Sequence, residues 1–219
     1  DHVDPESEPR PLQFDLEVAT QVPLGIGGQG TLELPGRILL QGGVSVMPAS
    51  FGHMIHGLVA RDSADTRISA ALSNLLDDAL VVRVGGGWRP FSSAGLEIMG
   101  GYTMVDLGAS ATTAEIRGLA GTALPVSIDP LIGPEGIRLN SRLHNVHVTL
   151  GWRWVAFDAL VIRANLGFTK TLASNSDVQI DQQDAVAATV TNIVSPLLDD
   201  AYTRYGNLPT AGLSLGYRF

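Results

Sequence analysis

A chain of 219 residues is long enough for one domain with a full core or for one closed barrel. Hydrophobic residues make up 45% and charged residues 16%, below the quarter usual for soluble domains, and a formal net charge of −8 argues against nucleic acid as a partner. Cysteine is absent, which excludes disulfides, thiolate metal sites and cysteine nucleophiles.

The missing charge is largely lysine: of the 14 Lys+Arg, only Lys170 is Lys. A soluble barrel usually covers its outer face with Lys and Glu, so this deficit argues against one. No continuous apolar run reaches the roughly 18–20 residues of a membrane helix. No leader is visible, and Asp1 reads as a mature or trimmed N-terminus.

Residues 1–11 are acidic, contain proline and lack periodicity, as in a flexible tail. From Leu12 the pattern alternates, with Phe14, Leu16 and Val18 on one face and Asp15, Glu17 and Ala19 on the other. Pro23 marks a tight turn. A second strand sets Leu24, Ile26 and Leu32 against Gln29, Thr31 and Glu33, and Pro35-Gly36 turns into a third, Ile38 to Val46. Residues 50–78 change to helical spacing through Met54, Leu58, Leu72 and Leu75. The fourth strand sets Leu80, Val82, Val84 and Trp88 against Arg83, Gly85, Gly87 and Arg89. The fifth sets Ile98, Tyr102 and Met104 against Glu97, Thr103 and Val105.

A long irregular stretch follows, broken by Pro125, Pro130 and Pro134, with one short helix expected around 114–119. The sixth strand alternates most clearly: His144, Val146, Val148, Leu150, Trp152 and Trp154 against Asn145, His147, Thr149, Gly151 and Arg153. The seventh runs from Leu160 to Thr169, with Arg163 and Asn165 on its polar face. A loop with a helical stripe of Val190, Ile193 and Leu197 precedes the last strand. There Leu213, Leu215, Tyr217 and Phe219 oppose Gly212, Ser214, Gly216 and Arg218.

Eight strands of about ten residues, the length that crosses a bilayer with tilt, are therefore expected. Connections after the second, fourth and sixth strands are short; those after the third, fifth and seventh are long, at about 48–79, 108–143 and 174–208. That alternation, together with the aromatic ending Gly216-Tyr217-Arg218-Phe219, resembles the small eight-stranded outer-membrane barrels of Gram-negative bacteria, the OmpA-like and OmpX-like type.

The resemblance implies an antiparallel up-and-down transmembrane β-barrel over 12–219 with short helices in long extracellular loops and both termini periplasmic. It also implies outer-membrane lipid and lipopolysaccharide as surroundings, and insertion by the barrel-assembly machinery, which reads such closing strands. A lipocalin-like soluble barrel with its greasy face inward shares the alternation. The lysine deficit, the Gly/Ser/Thr-rich second face and the short–long order of connections favour the membrane form.

In that form Trp88, Tyr102, Trp152, Trp154, Phe168, Tyr217 and Phe219 are interfacial aromatics. Asp15, Glu17, Glu33 and Glu97 meet Arg83, Arg153, Arg163 and Arg218 in the lumen, with His147 among them, as a plug that an eight-stranded barrel is narrow enough to fill. Loop helices are expected to bury their stripes in an extracellular cap containing Met54, Leu58, Leu72, Leu75, Val190, Ile193 and Leu197.

Leu75-Leu76-Asp77-Asp78-Ala79 and Leu197-Leu198-Asp199-Asp200-Ala201 repeat the same five residues, as matching helix-to-strand junctions or as a paired acidic cation site. Asp177, Asp181 and Asp184 share a helix face, which suits either a solvated N-terminal turn or Ca²⁺. His53 and His56 lack a third metal ligand, and no cofactor is expected. His144, His147 and Ser141 supply residue types for a lipid-modifying enzyme but form no nucleophile motif. The leading expectation is a non-enzymatic barrel whose loops contact envelope components, a protein partner or surfaces. A narrow pore or a hydrophobic small-molecule transport barrel is the alternative.

Overall fold

The computed structural model describes residues 12–48, 79–91, 94–111, 137–179 and 206–219, together with Asn192, Ser195, Pro196, Asp199, Asp200 and Thr203. The strands are β1 (Gln13–Val22), β2 (Gly25–Leu34), β3 (Ile38–Val46), β4 (Leu80–Trp88), β5 (Leu96–Ala111), β6 (Ile137–Ala156), β7 (Leu160–Gln179) and β8 (Leu208–Arg218). Each pairs antiparallel with its neighbours in sequence order. The sheet closes where β1 meets β8, with Asp15 opposite Arg218 and Val22 opposite Ala211. Closure removes the strand edges that an open sheet would leave without hydrogen-bond partners in lipid.

Alternation decides which face is which. Leu16, Val18, Val44, Val148, Leu150, Leu166, Leu213 and Leu215 are exposed, whereas Asp15, Glu17, Glu33, Glu97, Arg153 and Arg163 are buried. A water-soluble barrel has the reverse arrangement, because a continuous apolar exterior is unfavourable in water. The greasy face points outward and the polar face fills the lumen. No helix among the described residues is long and apolar enough to cross a membrane.

One end of the barrel carries the tight connections. Between β2 and β3, Gly36 and Arg37 take φ of 83° and 65°; between β6 and β7, Phe157 and Asp158 take 54° and 60°. Positive φ at two consecutive positions matches the turn to the right-handed twist of the strands. The C-terminus lies at this end, where the Phe219 amide donates to the Phe14 carbonyl at 2.9 Å. At the other end β1 and β2 are joined by Pro23-Leu24, and the three long connections emerge.

The strands are not of equal height. β6 and β7 have 20 residues each and β5 has 16, against 9 to 11 in the other five. Two long loops are therefore shorter than expected. Residues 108–111 continue β5, residues 137–143 begin β6, and residues 174–179 end β7. Two physical causes hid these stretches in the sequence. Past Met104 the sense of the alternation inverts, so that Val105, Leu107 and Leu143 are buried while Asp106 and Arg142 stand on the outer face. In β7 the register shifts by one residue: Thr171 pairs with Asn145 and Ala173 with His144, which leaves Leu172 as a bulge. A one-residue slip exchanges the faces of everything beyond it, and Ser174 and Ser176 then share the inner face with Ser141.

Asp177 is one of these strand residues, paired with Asn140, so it does not share a helix face with Asp181 and Asp184. Those two aspartates lie outside the described residues, as do His53, His56 and the expected cap residues. Asn192, Ser195, Pro196, Asp199, Asp200 and Thr203 are helical, and the Thr203 hydroxyl donates to the Asp199 carbonyl at 2.8 Å.

Candidate functional site

The lower lumen, towards the tight turns, is an ionic cluster contributed by six strands and by Arg89, the residue after β4. Arg163 is its centre. Its Nε donates to Glu97 Oε2 at 2.7 Å, one terminal nitrogen reaches Glu17, and the other lies 3.4 Å from Asp15 Oδ2. Arg153 donates to Glu33 at 3.0 Å and to Asp15 at 3.3 Å; its Nε stands 3.4 Å from Glu97 Oε1, an ion pair without hydrogen-bond alignment. Arg218 holds Asp15 through two contacts of 2.9 and 3.3 Å. Arg89 pairs with Glu33.

Asp15, Glu17, Glu33 and Glu97 are thus balanced by Arg89, Arg153, Arg163 and Arg218, four charges against four. Neutral groups complete the shell. Ser214 and Gln29 donate to Glu17, and Gln41 donates to Thr31. A buried charge is tolerated only when it is paired and hydrogen-bonded, and each of the four carboxylates has both an arginine partner and at least one hydrogen bond.

Two residues expected in the cluster stand above it. Arg83 donates to Gln21 rather than to a carboxylate, and His147 meets Thr103 through Nδ1 at 2.8 Å. Both line a cavity on the loop side of the cluster, which Glu97 and Arg163 also border. Arg89 was the residue the sequence concealed. It shares a face with Arg83 by alternation, but its neighbour Pro90 gives it the look of a turn.

Around Arg83 the lumen glycines leave a chamber of two cavities of about 30 and 20 Å³, both lined by Gln21, Gln29, Gln41 and Arg83. Each is large enough for only one or two waters. Above the chamber Met47, Val81, Val105, Leu107 and Leu143 are buried beside Ser141, Asn145 and Thr171, so apolar side chains enter the lumen at the loop end.

The aromatics expected at the interface, Trp88, Tyr102, Trp152, Trp154, Phe168, Tyr217 and Phe219, all stand exposed on the outer wall. On β6 the apolar row runs from Trp154 to Val146 and ends at His144, which bonds to Tyr102, and Arg142, which is held by Asp106 at 2.8 Å. From Trp154 to His144 is about 33 Å along the strand, or about 25 Å of depth at a tilt near 40°, the height of a lipid-facing band.

The residues considered for lipid chemistry are not assembled. His144 faces outward and His147 inward, while Ser141 bonds to Ser176 at 2.9 Å. Ser174 and Ser176 donate to Asp199 at 2.7 and 2.9 Å, a contact that ties the top of β7 to the last long connection. Among the described residues no group of three or more His, Asp or Glu is placed to hold a metal ion.

No protein-family model matches the chain, and no curated protein matches it. Solved structures do. The crystal structure of Acinetobacter baumannii CarO matches at 13% identity, covering 96% of this chain and 98% of the other, with a TM-score of 0.42. That of CarO2 from the same organism matches at 12% identity over 97% and 100%, with a TM-score of 0.43. A major outer membrane protein from Thermus thermophilus matches at 12% identity over 96% and 100%, with a TM-score of 0.50. What is shared with the last of these is the architecture: this chain is a closed eight-stranded antiparallel barrel of the outer-membrane type.

Proposed function

We propose that the protein resides in the bacterial outer membrane with both termini periplasmic. It acts there without catalysis, through contacts that its raised loop end makes with envelope components, a protein partner or external surfaces. The observation that carries this reading is the mismatch between the two ends. The lower lumen is filled by balanced ion pairs, while β6 and β7 have about twice the residues that crossing a bilayer requires. A stiff, closed barrel bearing a tall three-stranded extension has its accessible chemistry on that extension, and loops on a rigid scaffold carry function.

Transport of small molecules is less well supported, because the chamber around Arg83 has room for water and little else. The closing strand suits insertion by the barrel-assembly machinery, with Phe219 packed edge-on against Tyr217 at the turn-end rim. The test is in intact cells. Shortening β6 and β7 as a hairpin above Arg142 and Asn175 should leave a folded barrel that no longer cross-links to envelope components captured by the full-length protein. Unchanged cross-linking would refute the reading.

A further inference from the structure

The outer wall holds an apolar groove of about 340 Å³, lined by Leu96, Leu150, Trp152, Ala164, Leu166 and Ala211. It exists because small residues stand beside large ones in register: Ala164 is opposite Trp152 and Ala211 is opposite Leu166. Along β7 the outward row reads Leu160, Ile162, Ala164, Leu166 and Phe168, and then Lys170. Lys170 is the chain's single lysine, it is exposed, and it has no partner among the described residues. Arg142, four residues beyond Lys170's register partner Val146 on β6, is already neutralised by Asp106.

From Ala164 to Lys170 is six residues, about 20 Å along the strand and about 15 Å in depth at a tilt near 40°. That depth is half of a hydrocarbon core of about 30 Å. An acyl chain whose headgroup sits at Lys170 therefore ends in the groove.

We infer that this face binds a phosphate-bearing lipid of the leaflet at the loop end, its phosphate on Lys170 and one acyl chain between Trp152, Leu150 and Leu166. The inference rests on the membrane location proposed above. An ammonium group is a compact point charge suited to a phosphate, and a single lysine at a membrane surface contributes roughly a fivefold preference for an anionic headgroup. The groove supplies what a lone surface lysine lacks, a fixed position for the chain.

The barrel in a neutral detergent, offered lipid A or its dephosphorylated form, tests this by native mass spectrometry. The wild type should retain one lipid A, and the dephosphorylated form should be held about fivefold more weakly. Lys170→Gln should bind both forms alike, and Ala164→Phe, which fills the groove, should weaken both. Both positions face lipid, so folding, read by the heat-dependent shift on a gel, should be unchanged. Equal retention of the two lipids by the wild type, or full retention by Ala164→Phe, would overturn the lipid site. So would barrel dimers that Ala164→Phe abolishes, since a second copy would then occupy the groove. Failure to fold in detergent at all would overturn the membrane reading with it.

Discussion

Arg163→Gln is the sharpest probe of the lumen. The substitution removes a fully buried cation and leaves Glu17, Glu97 and Asp15 with three guanidiniums shared among four carboxylates. Breaking one side of a buried ion pair costs about 3–5 kcal/mol, chiefly because the partner charge is left uncompensated. Arg163 serves three partners at once, so the upper part of that range is expected. Adding Glu97→Gln restores the charge balance, and the double variant should recover about 1–3 kcal/mol relative to the sum of the single changes.

The internal control is the Asp106–Arg142 pair, whose 2.8 Å contact is as short but whose side chains are about half exposed. Its cycle should give less than about 1 kcal/mol. Equilibrium denaturation of the barrel refolded into lipid vesicles measures all of these, with Trp88, Trp152 and Trp154 on the outer wall reporting departure from lipid. If Arg163→Gln costs no more than Arg142→Gln, the lumen is hydrated and the plug has no structural weight.

Planar-bilayer recording should detect no stable open steps from the wild type, since the ionic cluster fills the lower lumen; steady currents would contradict that. Gly216→Ala should destabilise by about 1–3 kcal/mol, because its Cβ would fall 2.1 Å from the Leu16 carbonyl oxygen. Gly28→Ala, whose Cβ meets nothing nearer than 3.9 Å, should lie within about 0.5 kcal/mol of wild type in the same vesicle assay. The absence of cysteine permits a topology test. A cysteine at Asn175 should react with a membrane-impermeant maleimide on intact cells, and one at Asp158 should not; the opposite pattern would invert the proposed orientation.

How far the sequence reveals this protein depends on where alternation keeps one sense. Within the lipid-facing band, Leu213, Leu215 and Tyr217 against Ser214 and Arg218 leave only the choice between an inward and an outward greasy face. The scarcity of lysine points to outward. Above the band the physical contrast reverses, with water outside and apolar packing inside, so Val105, Leu107 and Leu143 read as irregular although they continue the same strands. The bulge at Leu172 compounds this by exchanging the faces of β7, which made Asp177 look helical when it is extended. Apart from Arg89, the acids and arginines of the lumen were legible as a set, since they share one face. Their partition was not. Which arginine meets which carboxylate depends on the stagger between strands, and stagger alone separates Arg83 from the four arginines that found acids.

That partition bears on how the barrel is made. The acids Asp15, Glu17 and Glu33 belong to the first two strands, whereas Arg153, Arg163 and Arg218 arrive with the last three, up to 203 residues later in the chain. A half-built sheet would have Arg89 to meet Glu33 but no arginine partner for Asp15 and Glu17. Beyond the Arg89–Glu33 pair, each added strand before β6 therefore gains little electrostatically, and most of the return comes when the final hairpin swings against β1. Assembly should then proceed as a single late closure, with partly inserted barrels short-lived and seldom populated. The ionic plug thus acts as a completion check on the chain, because only a full set of eight strands can neutralise it.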